Sequence, residues 1–134
     1  MIRNRALSWL VLGFFLSGCA TPEPEVYRAY EGPQRNRSEI AVIVLEAGPG
    51  ALEIDGVQPR EPIYKIELPP GSHTIKIMPE GWKFDFMAEG GKSYEFETYF
   101  SIRRGVSTGT MWIQELATGR KVSQVVKISE TPWR

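Results

Sequence analysis

The residues of this 134-residue chain with the reactivity to do chemistry are one cysteine, one histidine and a scatter of carboxylates. Cys19 offers a thiol, which can act as a nucleophile, bind a metal or carry a thioether. It has no partner thiol, so no intramolecular disulfide can form. His73 follows the turn Pro69-Pro70-Gly71 and starts a run in phase with Ile75 and Ile77. A catalytic or metal role would need convergent partners, and one histidine plus one cysteine cannot assemble a zinc site. His73 is therefore expected to bridge backbone groups at its turn. Asp85, Glu95 and Glu97 are the carboxylates that alternate with aromatics. Two convergent carboxyl groups could cleave a glycosidic bond, but simple alternation puts these three on a solvated sheet face. Arg103-Arg104 before Gly105 reads as a loop tip rather than a binding stripe. No glycine-rich loop leads into a helix, so there is no phosphate cradle. No catalytic residue, metal site or cofactor is expected.

Cys19 gains its meaning from what precedes it. Arg3 and Arg5 form a short cationic start, and residues 6–16 are almost wholly apolar. That run is about 11 residues, well short of the roughly 20 that span a bilayer as a helix. It ends in Leu16-Ser17-Gly18-Cys19. Cationic start, short apolar core and small residues before a cut are the parts of an export signal. The final four residues resemble the lipobox of bacterial lipoproteins. The resemblance implies cleavage between Gly18 and Cys19 and a diacylglyceryl thioether on the Cys19 sulfur. It also implies acylation of the new amine. Lipidation would remove a free thiol that is a liability in an oxidising compartment. Ala20 stands where aspartate would resemble an inner-membrane retention signal. The resemblance thus implies the outer membrane, with the domain facing the periplasm.

Removing residues 1–18 leaves enough chain for one small domain and a tether. The two arginines of the signal leave with it, so the remainder is slightly acidic, with its charges scattered. There is no basic stripe for nucleic acid and no polybasic patch for a membrane. Anchoring would rest on the lipid, for which two or more chains give stable attachment. Residues 19–38 carry Pro22, Pro24 and Pro33 among polar residues, which predicts a lipidated N-terminus and an extended tether. Its later part, around Tyr27 and Tyr30, is the portion placed to lie against the domain.

Residues 39–130 change to short β-type runs separated by turn chemistry. Residues 40–46 (IAVIVLE) read as a strand covered on both faces. Residues 52–54 lead into Asp55-Gly56, where glycine supplies the positive φ of a tight turn. Alternation then marks 63–68, 73–78, 82–88 and 93–102, and a final pair, 110–116 and 121–128, flanks Thr118-Gly119-Arg120. No dozen residues after the signal carry a helical stripe. The expectation is an all-β fold, a small antiparallel β-sandwich of about seven to eight strands. Its predicted core is Val42, Val44, Ile54, Ile66, Leu68, Ile75, Ile77, Phe84, Phe86 and Phe96. Residues 131–134 form a tail.

Two stretches carry a further resemblance. Ile54-Asp55-Gly56 and Leu68-Pro69-Pro70-Gly71-Ser72-His73-Thr74-Ile75 look like the turns of PEGA-type and carboxypeptidase-regulatory-like β-sandwich modules. Ala88-Glu89-Gly90-Gly91-Lys92-Ser93-Tyr94 is similar to an A-E-x-G-K-x-Y segment of many small bacterial lipoproteins of unassigned function. Those proteins also carry Y-E-G-P near the mature N-terminus, here residues 30–33, and a late tryptophan before a T-G hairpin, here Trp112 and Thr118-Gly119. The chain departs from PEGA repeats at residues 58–62 (QPREP), where a Gly-Thr-Pro step is usual. The resemblance implies a sandwich and an envelope location, and no ligand.

Three functions fit these features. One is a non-catalytic binding or scaffold module, held by lipid on Cys19, for another envelope protein or the cell wall. Another is an accessory subunit of an envelope secretion, transport or assembly complex. The third is a hydrolase on a β scaffold, which would need a concave pocket with two convergent carboxylates. Tyr99, Trp112 and Trp133 are the candidate partner-contact aromatics. Tyr99, Met111 and Trp112 would mark a docking patch if they formed one exposed apolar surface.

Overall fold

A computed structural model describes residues 25–45, 51–59 and 63–132. Cys19, Gly18, Trp133 and the expected export signal lie outside the described residues. Nine strands form: β1 (Glu25–Arg28), β2 (Ala41–Val44), β3 (Leu52–Ile54), β4 (Ile63–Leu68), β5 (Gly71–Ile77), β6 (Trp82–Ala88), β7 (Ser93–Arg103), β8 (Val106–Glu115) and β9 (Val126–Pro132). One 3-10 turn, Arg37–Glu39, precedes β2. The strands make a six-stranded sheet, ordered β1-β4-β2-β7-β8-β9, and a three-stranded sheet, ordered β3-β5-β6.

The sandwich expected from alternation is what forms, with two differences. Strand β1 falls inside the proline-bearing stretch expected to be tether. Its partner is β4, with Val26 against Lys65 and Arg28 against Glu67. The second difference is direction: β1·β4 and β2·β7 are parallel pairs, the remaining ones antiparallel. The β2·β7 pair is parallel because β4 takes the antiparallel place on the other side of β2, and the chain then crosses through β5 and β6 of the smaller sheet before it lays down β7. Alternation within a strand is blind to both differences, since it reports faces and not neighbours.

The core lies where the two sheets overlap. From the large sheet come Ile43, Ile66, Leu68, Tyr94 and Ile113. From the small sheet come Ile54, Ile75, Ile77, Phe84 and Phe86. Phe84 meets Phe96 edge-on at 5.2 Å between ring centres, and Phe86 meets Tyr94 at 5.3 Å. Such edge contacts suit aromatic quadrupoles and add to area burial. Strand β2 is covered on both sides, as its apolar run predicts: Ala41 and Ile43 face the core, while Val42 is buried on the outer side. The outer neighbours of Val42 are Glu67 and Ser93. Tyr30 holds the first and Arg37 the second, so the segment before β2 packs across that face.

Of Val42 and Val44, both expected to face the core, the first is buried on the outer side of the sheet and the second is not in the core. Val44 is 38% exposed, and Tyr64, which alternates in phase with Ile66, is 49% exposed. Val44 lies on the outer face next to Lys65, beyond the reach of the covering segment. Tyr64 sits towards the start of β4, past the region in which buried residues cluster.

Edges are handled by side chains. Residues 121–124 leave β8 after one bridge, Gln114 to Lys121, and reach the small sheet through a bridge from Ser123 to Phe86. There the Gln124 amide accepts from the Asp85 backbone N–H at 3.0 Å and donates to the Lys83 carbonyl at 3.0 Å. A single side-chain amide thus stands in for a strand along the edge of β6, which an open edge would otherwise offer to another chain. The strand expected over 121–128 therefore begins only at Val126, and it runs on through Pro132, into residues 131–134 that were expected to form a tail.

Phe84 is fully buried between the sheets, whereas Met87 on the same strand is 61% exposed. Phe84→Ala should lose about 3–5 kcal/mol of unfolding free energy, and Met87→Ser should stay within about 0.5 kcal/mol of the parent. Urea denaturation curves of the two variants check this directly.

Candidate functional site

The chemistry-bearing residues separate into a turn network on the small sheet and an aromatic row on the large one. The network is built on Asp55-Gly56. Both residues have positive φ, +48° and +83°, as the two central positions of a type I′ turn require. Ile54 and Val57 exchange backbone hydrogen bonds at 2.7 and 2.9 Å to close it. Asp55 tolerates this conformation because its short carboxylate finds local donors. One carboxylate oxygen accepts from the Thr74 backbone N–H at 2.8 Å, and the other lies 2.6 Å from His73 Nδ1.

His73 is 7% exposed, with Phe86 beside it. Its Nε2 lies 2.6 Å from the Pro69 carbonyl oxygen. Each ring nitrogen thus has an oxygen partner, one from each turn. The expectation of a turn-bridging histidine is met at Pro69, and the link to Asp55 goes beyond it. The two turns that carry the PEGA-like resemblance are joined by this ring. With both nitrogens engaged, the imidazole has no free position for a nucleophile or a metal.

Neighbouring polar groups extend the network over the outer face. Thr74 Oγ1 donates to Asp85 at 2.6 Å, and Lys83 lies 3.7 Å from the same carboxyl group. The Thr74 hydroxyl first, and then Lys83 and Gln124, hold Asp85 below the usual carboxylate range. Asp85 sits on the outer face of the small sheet, while Glu95 and Glu97 sit on the outer face of the large one. Facing sheets lie about 10 Å apart, so carboxylates on their opposite outer surfaces cannot converge on one bond. Among the described residues no group of three or more His, Cys, Asp or Glu side chains could hold a metal ion.

The A-E-G-G-K-S-Y stretch is also turn chemistry. A Cβ on Gly90 would stand 2.4 Å from the Ser38 carbonyl oxygen, so only glycine lets the segment before β2 pass. The buried Tyr94 hydroxyl accepts from the Glu89 N–H at 3.0 Å. Lys92 contacts Glu89 at 2.6 Å and Glu115 at 3.6 Å, and Arg120 reaches Glu115 at 3.4 Å. The hydrogen bond between Lys92 and Glu89 holds the Glu89 carboxyl below its ordinary value and the Lys92 ammonium above its own. A similar clamp fixes β1: Glu67, 3% exposed, accepts from Arg28 Nε at 3.2 Å and from the Tyr30 hydroxyl at 3.0 Å.

The aromatic row divides by face. Tyr99 and Trp112 lie diagonally on the outer face of β7 and β8, since Tyr99 pairs with Thr110 and Glu97 with Trp112. Met111 points the other way, packing against the core, so the three do not form one patch. Trp112 is half-buried and already occupied. Its indole N–H donates to Gln114 at 3.1 Å, Gln114 donates to Glu95 at 2.8 Å, and the Lys121 ammonium stands 4.2 Å above the ring. This chain of contacts takes Trp112 out of the set of free aromatics. Tyr99 remains 61% exposed, and Phe100 and Ile102, which the sequence reading did not single out, are exposed to 60% and 61%. Their signal was present in Tyr99-Phe100-Ser101-Ile102, where three large side chains fall on both faces of one strand.

Two outcomes follow for the network. Asp55→Ala should cost about 1–3 kcal/mol, because it strands the buried His73 nitrogen and the Thr74 N–H; Asp55→Asn, which keeps an acceptor, should cost less. Thermal unfolding of both variants orders them. For Asp85 the folded-state value lies below the unfolded one, so its contribution is present above the ordinary carboxylate range and is lost as pH falls through the folded value. Asp85→Asn should therefore flatten the acid side of a stability–pH profile, and leave its neutral side parallel to that of the parent. No protein-family model, curated protein or solved structure matches this chain.

Proposed function

We infer that this protein is a lipid-anchored, non-catalytic envelope protein, whose β-sandwich is a binding or scaffold module for another envelope component. Residues 1–18 serve as the export signal, and Cys19 carries the lipid. The observation that carries this reading is the placement of the chain's only cysteine directly after a short apolar run and Leu16-Ser17-Gly18. The start of β1 at Glu25, six residues after Cys19, supports a domain held near its anchor. With alanine at position 20, the outer membrane facing the periplasm is the location that fits.

The absence of catalysis is supported by particular residues. Both His73 nitrogens are engaged, and Asp85 stands on the outer face of the small sheet, away from Glu95 and Glu97 on the outer face of the large one. A PEGA-like domain is supported by the direct His73–Asp55 contact between the two turns that carry that resemblance.

Mass spectrometry of the purified protein tests the anchor. The expected N-terminal residue is Cys19 with a diacylglyceryl thioether, and Cys19→Ser should accumulate with residues 1–18 attached. A mature chain with a free Cys19 thiol would remove the basis of the reading.

A further inference from the structure

We propose that the β7–β8 hairpin tip rests end-on in the phospholipid bilayer that holds the Cys19 lipid, a second contact that sets the orientation of the domain. This rests on the anchor reading above and adds to it a surface and an occupant.

The register gives the geometry. Lys65, Val44 and Glu95 form one row across β4, β2 and β7. Ile63, paired with Glu25, is two residues further along, level with Glu97. Strand β4 is antiparallel to β2, β1 is parallel to β4, and β7 is parallel to β2. The chain therefore enters β1 from the same end of the sheet at which β7 leaves for its turn. Beyond the Glu97 row, β7 continues through six more residues to Arg103, about 20 Å at the usual strand rise. Six residue steps separate Cys19 from Glu25, a contour of at most about 20 Å. Anchor reach and hairpin projection are equal and lie on the same side of the domain. A bilayer that holds Cys19 is thus within reach of the tip.

The tip has the chemistry of a bilayer interface. Tyr99 stands on one face of the ribbon and Phe100 and Ile102 on the other, all about equally exposed. A protein docked on one face would leave the opposite group in water, whereas end-on insertion covers both. Arg103 and Arg104 occupy the exposed turn, with Gly105 at φ +74°. Residues 98–109 contain those two cations and no acidic residue. The nearest acid on the adjacent strand, Glu130 opposite Thr108, is taken by Lys127. Guanidinium groups pair with phosphate in bidentate fashion, and aromatic rings at this depth sit among headgroups.

The test uses the full lipidated chain in vesicles of phosphatidylethanolamine and phosphatidylglycerol with brominated acyl chains. With the Cys19 sulfur in its thioether, Ile102→Cys or Arg103→Cys supplies the one free thiol for a bimane label. Ala117→Cys, exposed in the turn at the other end of β8, is the control. The bimane at 102 or 103 should lose the larger part of its emission to the brominated lipid, and the bimane at 117 should keep it. Adding Arg103→Glu and Arg104→Glu to the Ile102→Cys chain should restore the emission. A lipidated Cys19 with an unquenched label at both tip positions overturns the proposal alone. Bimane emission at the tip that changes with protein density and ignores lipid bromination would assign the tip to a second copy, and also overturns it. An unmodified Cys19 in the same sample's mass spectrum overturns the anchor reading and the proposal with it.

Discussion

A three-stranded sheet cannot cover a six-stranded one, and that mismatch in area governs the rest of this protein. Buried apolar side chains lie where the two sheets overlap, from Ile43 and Ile66 on one side to Ile75 and Phe84 on the other. Beyond the overlap the large sheet must find another cover or meet solvent. On its outer face, the segment that precedes β2 supplies a cover over Val42 and Glu67. Along β7 and β8, which run for 11 and 10 residues, nothing among the described residues covers the far halves. There the core-side row of Tyr94 and Phe96 continues into Thr98, Phe100 and Ile102, and burial gives way to exposure. Hydrophobic stabilisation scales with area withdrawn from water, so the ends of these strands contribute little to folding.

The ribbon keeps its shape by other means. Gly109 sits in the interior of β8, where glycine normally weakens a strand. Here the Phe100 ring fills the space a side chain would take: a Cβ on Gly109 would stand 2.6 Å from that ring. Aromatic cover over a strand glycine is a recognised way to recover packing in a sheet. A bulge between Gly109 and Thr110 in the β8–β9 pairing adds local twist. At the other end of the molecule, charge and turn geometry do the fixing. His73 joins two turns through Pro69 and Asp55, while Glu67 and Glu115 each gather two basic or hydroxyl partners. These buried acids are satisfied, which is the condition for a polar group to be tolerated there.

Much of this was legible in the chain itself, and the misses have identifiable causes. The period-two pattern of β5 and β6 located Ile75, Ile77, Phe84 and Phe86 correctly, because both strands lie wholly within the overlap. Residues 40–46 are nearly all apolar, so nothing in that run set its phase, and Val44 was assigned the core face that Ala41 and Ile43 occupy. Strand β1 was hidden by its proline-rich surroundings; its pairing depends on the Glu67 clamp, a contact 39 residues distant in sequence from Arg28. Trp112 drew notice as a large aromatic, yet Lys121, Gln114 and Glu95 occupy it, and of these only Gln114, two residues on along the same strand face, is near it in sequence. The exposure of Phe100 and Ile102 escaped the alternating pattern, which puts them in one row with the buried Tyr94 and the half-buried Phe96.

Native-state hydrogen exchange tests the overlap account most directly. Amides at Ile43, Ile66, Ile75, Phe84 and Ile113 should exchange only through global unfolding, and those of residues 100–108 through local opening at far lower free energy. The steep change should fall near Phe96 and Ile113, where the small sheet ends its cover. Uniform protection along β7 and β8, from Tyr94 to Ile102, would contradict it.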